Sequence, residues 1–415
     1  MGGLHRLNDR NMPTTCVRPP ELRAPMVDLQ KILASTQLPT LPTVAVRLLE
    51  LSRNPETELR DVIAVIKTDP AITAKILKAT NSSYFGFRTQ ITTIDRAVPL
   101  LGTTLVTSLA LSFSLVDAAM TTGPLTTHYN AYWKQSIVHA CAAETLSKLC
   151  ARGQEGEYFL AGLLADLGRL AMLKTIPRDY LPVLEVARDT QRELVELETE
   201  ALGVNHVEVG TKLMESWKLP APLIDAVLLH HAGVQTLIDT PRTPEHKLLQ
   251  AVAVATSTGE YFCCSNKGPA LDRLRKLTAA YYNFSDQALD DFLTQTRARI
   301  NQAGDLFTVS FDELGEPCDL MAQASEQLAQ LALREFVAST QASAMREMAE
   351  QQRQELESKN VELQQQALHD PLTFVYNRNF FDESMTSTIL AAAHTADSVG
   401  VIFADIDKFK SLNDT

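Results

Sequence analysis

Apolar residues recur at helical spacing through most of the first 304 residues, and the alternation typical of β-strands is rare. The pattern is clearest in five segments, which are 133–151, 157–174, 206–217, 220–231 and 245–262. Short loops, several of them with Pro or Gly, separate these segments. The pattern therefore predicts an all-α domain over residues 26–310.

Local signals fix some helix ends. Asp69-Pro70 predicts a helix start, because Asp accepts hydrogen bonds from free amides and Pro suits the first helical position. Asn81-Ser82-Ser83 predicts its end, and Gly86 and Gly102 are expected in turns or at helix ends. The most apolar run, 105–119, contains several hydroxyl groups and one carboxylate, which favours a buried core helix over a membrane span.

The composition changes near residue 316. Gly is absent from 316–366, and Glu, Gln, Ala and Leu dominate, which predicts a long helix within a linker over residues 311–368. A broken heptad-like stripe runs along it, formed by Leu328, Leu331, Met345, Met348, Leu356 and Leu363. An exposed linker helix and a dimerising coiled coil both remain open. Beyond it, 400–407 is apolar and ends in carboxylates, which predicts a strand within a further domain over 369–415.

Composition narrows the class of protein. A chain of 415 residues with 45% hydrophobic residues suggests two or three globular domains. A net charge of −12, with no stripe of Lys and Arg, argues against a nucleic-acid-binding surface. No run approaches the ~18 apolar residues of a membrane span, and a cytoplasmic location is expected. Residues 1–25 hold four prolines among polar residues and are predicted to be a disordered lead-in.

Several motifs in the helical half occur in a specific order and spacing. They are Leu38-Pro39-Thr40-Leu41-Pro42, 69–77, 81–86, 94–102, the segment FLAGLLADLG at 159–168, His206-x-x-Val209-Gly210, Trp217-x-Leu219-Pro220 and His230-His231. Together they resemble the HDOD family, the HD-related output domains of bacterial signalling proteins, over about residues 38–280. The resemblance implies a degenerate HD-superfamily fold that is all-α, and a role in interaction and signal transmission with a protein partner or ligand.

The resemblance also identifies a degenerate metal site. Catalytic HD relatives carry a His where this chain has Gln135, and a His-Asp pair where it has Ala165-Asp166. Their later histidines match His206, His230 and His231, and a final Asp falls at or near Thr256. A methyl group cannot coordinate a metal, so a two-ion hydrolytic centre and a cofactor are not expected in this part.

The four remaining candidate ligands, Asp166, His206, His230 and His231, are enough for one ion. The alternative is a purely structural set of buried, hydrogen-bonded side chains, in which Asp166 caps a helix or accepts from backbone amides. His139 lies on an apolar helix face outside the matched ligand positions and is interpreted as a core or surface histidine.

The C-terminal segment carries two further motifs. Residues 370–378 read DPLTFVYNR, against a family pattern of D-x-L-T-G-L-x-N-R, and residues 405–414 read DIDKFKSLND. They resemble the front of GGDEF domains, α/β diguanylate cyclases that make cyclic di-GMP from two GTP molecules. The chain departs from the pattern where Phe374-Val375 replaces Gly-Leu.

The GGDEF resemblance implies specific roles. The Asp405 side chain and the Ile406 carbonyl would bind Mg²⁺, the Phe409 and Lys410 amides would bind phosphate, and Asn413 would contact guanine. The G-G-D-E-F signature does not occur before Thr415, so these residues alone are expected not to cyclise GTP.

The favoured function is a bacterial signalling protein in which a non-catalytic HDOD module controls a diguanylate cyclase, as a homodimer through the linker helix and without nucleic-acid or membrane partners. One alternative is a purely non-catalytic interaction protein. A second alternative is a residual metal-dependent phosphohydrolase.

Overall fold

The computed structural model of the chain describes residues 27–52, 56–119, 123–190, 192–241, 243–307, 309–395, 398–405 and 407. The predicted lead-in at 1–25 lies outside these residues. Contacts divide the chain into two units, Met1–Leu331 and Ala332–Thr415, each of which is described by itself.

The all-α character predicted for the N-terminal part is confirmed. Its helices are α1 (Leu29–Leu33), α2 (Thr43–Ser52), α3 (Leu59–Lys67), α4 (Pro70–Thr80), α5 (Ile94–Leu101), α6 (Thr103–Ala119), α7 (Thr126–Cys150), α8 (Glu155–Leu164), α9 (Leu167–Thr175), α10 (Pro177–Thr190), α11 (Leu194–Leu202), α12 (His206–Ser216), α13 (Ala221–Leu229), α14 (Val234–Asp239), α15 (Lys247–Cys263), α16 (Lys267–Tyr282) and α17 (Asp286–Phe307). A 3₁₀ turn, Pro244–His246, precedes α15.

Helix α7 lies at the centre of this unit. Its residues from Ser136 to Ser147 are buried on every side, and it packs against α8, α15 and α17. Helix α6 is also buried along its described side chains from Val106 to Ser114, as expected of a core helix. Gln135 of α7 accepts a hydrogen bond from Arg169 of α9, so it lies near the point where α8 ends and α9 begins.

Helix α4 begins as predicted. The Asp69 carboxylate accepts hydrogen bonds from the Ala71 and Ile72 amides at 2.9 and 3.1 Å, and Pro70 is the first helical residue. The helix ends at Thr80, with Asn81 as its C-cap. Gly86 and Gly102 have φ of +64° and +81°, which confirms their turn and helix-end positions.

A buried ion pair ties α17 to α7. The Arg299 guanidinium donates from Nε to Glu144 Oε2 at 3.0 Å, and the two side chains are 15% and 6% exposed. The guanidinium lies over the Tyr84 ring at 3.4 Å, and the Tyr84 hydroxyl donates to the same carboxylate. Because both charges are buried, each depends on the other for its solvation.

The prediction of a single helix over 157–174 is wrong, because the helix is interrupted at Ala165-Asp166, between α8 and α9. Each half approaches a different neighbour at a glycine. A Cβ on Gly162 would lie 2.5 Å from the His139 carbonyl oxygen of α7. A Cβ on Gly168 would overlap the His206 carbonyl oxygen of α12 and lie 2.8 Å from the Gly210 nitrogen. The break allows both close contacts.

The second unit contains most of α18 (Pro317–Leu368) and α19 (Arg378–Thr395). The predicted long helix is therefore confirmed, at 52 residues. The strand predicted over 400–407 is wrong for the residues described there, which are irregular, with Ile402 94% exposed and Phe403 87% exposed. A strand requires a hydrogen-bonded neighbour, and the described part of the chain provides none for this segment.

Over the described residues, no single helix has the length and apolar character needed to cross a membrane. The pair Ile94–Leu101 and Thr103–Ser114 meets the length and composition test together, but it is bent by 111°.

Candidate functional site

Four of the predicted ligand residues converge in the first unit. Asp166, His206, His230 and His231 each offer one ligand atom, and these atoms lie within 4.8 Å of one another. Asp166 sits in the break between α8 and α9, His206 is the first residue of α12, and the two adjacent histidines follow α13. We call these four residues the inner cluster. It is assembled where helices begin or end, so its geometry depends on how those helices pack.

His206 is held by a buried carboxylate. Its Nδ1 lies 2.7 Å from Glu198 Oε2, and its backbone amide donates to the same oxygen at 2.8 Å. The Tyr180 hydroxyl donates to the other Glu198 oxygen at 2.6 Å. Because the carboxylate accepts, Nδ1 carries the proton, and Nε2 faces Asp166 Oδ1 at 3.7 Å.

His230 is oriented in the same way by the backbone. Its Nδ1 lies 2.5 Å from the Val227 carbonyl oxygen, which can only accept, so Nδ1 is again the donor. Its Nε2 then faces Asp166 Oδ1 at 3.4 Å. Three buried atoms, Asp166 Oδ1, His206 Nε2 and His230 Nε2, therefore converge without a hydrogen-bond partner.

The second oxygen of Asp166 is occupied. Arg169 Nη1 donates to Asp166 Oδ2 at 2.8 Å and to Gln135 Oε1 at 2.8 Å. The prediction that Asp166 caps a helix is wrong, because its side chain makes no capping hydrogen bond to α9. The guanidinium one turn along the same helix takes that oxygen instead.

Burial and charge set the protonation of the inner cluster. Burial opposes ionisation of Asp166, but Arg169 and the neighbouring imidazoles hold its pKa well below the usual value. Burial also opposes protonation of His206, but Glu198 raises the pKa of this imidazole. Burial, together with His230 and His206, holds the pKa of His231 well below the usual value.

An outer group of carboxylates adjoins the inner cluster. His231 Nδ1 lies 3.8 Å from Glu260 Oε1, and Glu193 has an oxygen within the same small volume. Burial and then the charge of Glu193 raise the pKa of Glu260 to about 7. His139, by contrast, is a fully buried core histidine whose two ring nitrogens have no hydrogen-bond partner, and burial lowers its pKa to about 4.

The residues fit one metal ion and do not fit two. Gln135 already accepts from Arg169, Ala165 offers a buried methyl group, and the Thr256 hydroxyl donates to the Ala253 carbonyl of its own helix at 3.1 Å. None of these positions supplies a free ligand atom of the kind a second ion needs. The inner cluster, with three imidazoles and one carboxylate, has the donor set that suits a single first-row divalent ion.

Sequence reasoning missed the residues that surround the ligands. Arg169 follows Asp166 by three positions, and this helical spacing could have identified it. Glu198 and Tyr180 carry no sequence signal that pairs them with His206, because only the packing of α10, α11 and α12 brings them together.

The first GGDEF-like motif forms a turn between α18 and α19. Asp370 Oδ1 accepts from the Leu372 and Thr373 amides at 3.0 and 2.9 Å, and Asn377 Oδ1 accepts from the Phe380 amide at 2.9 Å. Phe374, which stands where the family pattern has Gly, adopts φ of +58°. This conformation is one that Gly adopts freely and other residues do not.

The predicted nucleotide-binding residues are only partly described. Asp405 is exposed and irregular, and Ile406, Phe409, Lys410 and Asn413 lie outside the described residues. The roles assigned to them by resemblance stay predictions.

Comparisons with known proteins agree with the fold and the motifs. The model of the HDOD domain matches residues 38–233, which include the whole inner cluster, and the model "Diguanylate cyclase, GGDEF domain" matches residues 367–415. The crystal structure of an HDOD domain protein of unknown function from Geobacter sulfurreducens has a TM-score of 0.53 and 20% identity, and covers 67% of this chain and 96% of that one. This likeness shows the fold.

Two curated relatives match different parts of the chain. An uncharacterised protein of Treponema pallidum is 28% identical over 229 residues, which is 53% of this chain and 42% of the relative. The diguanylate cyclase TpbB of Pseudomonas aeruginosa is 37% identical over 59 residues, which is 14% of each protein. The chain thus spans less than half the length of either relative. The family models thus find an HDOD domain at residues 38–233 and the first part of a GGDEF domain at residues 367–415.

Proposed function

We propose that this chain is a bacterial cytoplasmic signalling protein in which a non-hydrolytic HDOD domain controls the synthesis of cyclic di-GMP from two GTP molecules. The observation that carries the proposal is the presence of both domains on one chain, connected by the 52-residue helix α18. A diguanylate cyclase joins two nucleotides held by two domains, so its output depends on how two copies pair. A helix that connects a sensor to such a domain is placed to set that pairing.

The state of the HD site supports a regulatory role. Ala165 and Gln135 supply no free ligand atom, and the Arg169 guanidinium binds both Gln135 and Asp166. Hydrolysis by two-ion catalysis needs a water activated between two metals, and this donor set cannot fix two. We therefore place the chemistry in the GGDEF part, with Mg²⁺ at Asp405 and Ile406 and GTP at Phe409, Lys410 and Asn413, as its resemblance implies.

The surface of α18 supports pairing of two copies. Beyond Leu331 the helix exposes a series of large apolar side chains, which are Leu333, Phe336, Val337, Met345, Met348, Leu356, Val361 and Leu363. Leu356 and Leu363 lie seven residues apart and are 69% and 59% exposed. Apolar residues at heptad spacing are buried when two helices form a coiled coil. We infer a homodimer through this part of α18.

Two insertions between Thr340 and Gln341 of the full-length gene product test this function. Two added alanines rotate the rest of the helix by about 200°, whereas seven added residues, at about 100° each, return it nearly to its original phase. We expect cyclic di-GMP formed from GTP and Mg²⁺ to fall about tenfold with two residues, within the usual range of coupling between sites, and to persist with seven.

The same assay separates the alternatives. Equal output from both insertions would show that α18 does not transmit a signal by its phase. A full-length product that forms no cyclic di-GMP would leave the non-catalytic interaction protein as the better interpretation. Hydrolysis of phosphodiesters to phosphomonoesters by the Asp405→Ala variant, lost on Asp166→Asn, would instead support the residual phosphohydrolase.

A further inference from the structure

Three polar atoms of the inner cluster face one another and have no hydrogen-bond partner among the described residues. When the two imidazoles are neutral, with the proton at Nδ1, the atoms Asp166 Oδ1, His206 Nε2 and His230 Nε2 are all acceptors. All three are buried and lack a hydrogen-bond partner. A buried acceptor without a partner loses the hydrogen bonds that water would give it, and three acceptors that face one another also repel one another. A cation between them would be accepted by all three atoms.

The distances favour a metal ion over a shared proton. A charge-assisted N–H···O bond is about 2.7–2.9 Å long. The observed separations from Asp166 Oδ1 are 3.4 Å to His230 Nε2 and 3.7 Å to His206 Nε2. Two ligands about 2.1 Å from one tetrahedral ion lie about 3.4 Å apart. A water molecule has only two hydrogens for these three acceptors.

We propose that Asp166, His206, His230 and His231 bind a single divalent transition-metal ion, and that the fixed charge of Arg169 stands in place of a second ion. The regulatory meaning given to this ion below rests on the proposed function, whereas its binding does not. Imidazole-rich sites of this kind take Zn²⁺, Co²⁺ or Fe²⁺ in preference to Mg²⁺, which favours oxygen ligands.

The position of Arg169 explains why we expect one metal ion at the inner cluster and not two. Its guanidinium is always charged and lies 2.8 Å from both Asp166 Oδ2 and Gln135 Oε1. It therefore holds the carboxylate so that only Oδ1 is free for a ligand bond. A second divalent ion would have to displace this cation and would find no imidazole at Gln135 or Ala165.

Neighbouring groups orient two of the imidazoles so that their Nε2 atoms can bind an ion. Glu198 and the Val227 carbonyl fix the proton of His206 and His230 on Nδ1 and turn Nε2 inward. Histidine ligands of metals are commonly oriented by such carboxylate or carbonyl partners, and loss of one lowers metal affinity about 10–100-fold. The Tyr180 hydrogen bond keeps Glu198 itself in place.

Helix α16 connects the ligand loop to α18. Arg273 Nη2 donates to the carbonyl oxygens of His230 and Ala232 at 3.1 and 2.9 Å. Near the start of α16, the Gly268 amide donates to Gln327 Oε1 at 2.8 Å, and a Cβ on Gly268 would lie 3.0 Å from Gln327 Cβ. An ion that restrains the His230 loop therefore restrains the helix on which the start of α18 packs.

Metal content of the full chain tests the binding. After removal of metals with a chelator, the protein is given Zn²⁺ or Co²⁺, dialysed and analysed by mass spectrometry. We expect one ion per chain and, with Co²⁺, visible absorption typical of a four-coordinate site. Asp166→Asn and His206→Gln should each reduce the content at least tenfold.

His139→Leu is the matched control, because His139 is equally buried in the same core but lies outside the inner cluster. It should retain one ion. Circular dichroism verifies that each variant is helical. No bound ion, two ions, or full retention by the Asp166→Asn and His206→Gln variants would each overturn the proposal.

Hydrogen exchange tests the connection to α18. Zn²⁺ should slow amide exchange in 317–331 of the wild-type chain by about tenfold, whereas Arg273→Gln should bind the ion without this change. An ion that leaves exchange in 317–331 unaltered would refute its regulatory part. Failure here is distinct from failure of the proposed function, which is measured by cyclic di-GMP formation.

Discussion

The contact between α9 and α12 makes Gly168→Ala a sharp test of how the site is built. The new Cβ would overlap the His206 carbonyl oxygen and lie 2.7 Å from the carbonyl carbon and 2.8 Å from the Gly210 nitrogen. Ordinary carbon contacts are about 3.5–4.0 Å, so α12 must move by about 1 Å. All the obstructing atoms belong to backbone, which cannot rotate away as a side chain does.

Two opposing effects determine how much Gly168→Ala changes the free energy of unfolding. Overpacking of a well-packed core costs about 1–3 kcal/mol, and a backbone obstacle places this change near the upper end. Replacing a helical Gly by Ala returns about 1 kcal/mol of helix propensity. We therefore expect the free energy of unfolding to fall by about 2 kcal/mol, and affinity for Zn²⁺ to fall too because His206 begins the displaced helix.

Urea unfolding followed by tryptophan fluorescence provides the assay, since the two tryptophans, Trp133 and Trp217, both lie in the first unit. Gly233→Ala is the control, because its Cβ would meet only the Thr236 hydroxyl oxygen, at 3.9 Å. It should stay within about 0.5 kcal/mol of wild type. If Gly168→Ala unfolds at the same urea concentration as this control, the proposed close contact between α9 and α12 is wrong.

Four further outcomes are expected. Because burial lowers the pKa of His139 from 6.5 to about 4, the unfolded state takes up its proton first as pH falls; stability should drop by up to about 3 kcal/mol between pH 6.5 and 4, and His139→Leu should remove that part of the pH dependence in urea titrations. Glu144→Gln leaves the Arg299 guanidinium buried without its counter-charge and should cost about 3 kcal/mol in the same assay, whereas Asp95→Asn, which removes an exposed ion pair, should leave the urea midpoint close to that of wild type. Phe374→Gly should relieve the left-handed backbone and slow hydrogen exchange of the Asp370 amide about fivefold, a gain of about 1 kcal/mol; faster exchange would contradict it. Leu356→Glu should shift the sedimentation of the chain from dimer to monomer, while Glu357→Gln should not.

The parts of the fold that are determined by residues close together in the sequence could be predicted from the sequence. Asp69 and Pro70 determine the start of α4 by themselves, and the length of α18 follows from its lack of Gly. The break at Ala165-Asp166 could not be predicted, because the close contacts that accompany it, at Gly162 and Gly168, are with α7 and α12, which lie elsewhere in the sequence. The strand over 400–407 failed for the same kind of reason, since pairing depends on a neighbouring strand.

The candidate site shows the same division. The resemblance to HD relatives implies the four residues of the inner cluster as candidate ligands, and the structure brings them together. The sequence alone does not show which atoms of these residues are free to bind an ion. Hydrogen bonds to Glu198 and Val227 determine which nitrogen of His206 and His230 is free, and no motif carries that information.

The pairing of Arg169 with both Gln135 and Asp166 has an evolutionary consequence. A lineage acquiring two-ion hydrolysis would need imidazoles at 135 and 165 and a carboxylate at or near 256, but replacing Gln135 first would deprive a mostly buried guanidinium of an acceptor. Removing Arg169 first would leave Asp166 buried without its counter-charge. Each single step is disfavoured until the others have occurred. Two-ion hydrolysis at this site therefore requires several substitutions together, so epistasis restricts the order in which they can be acquired.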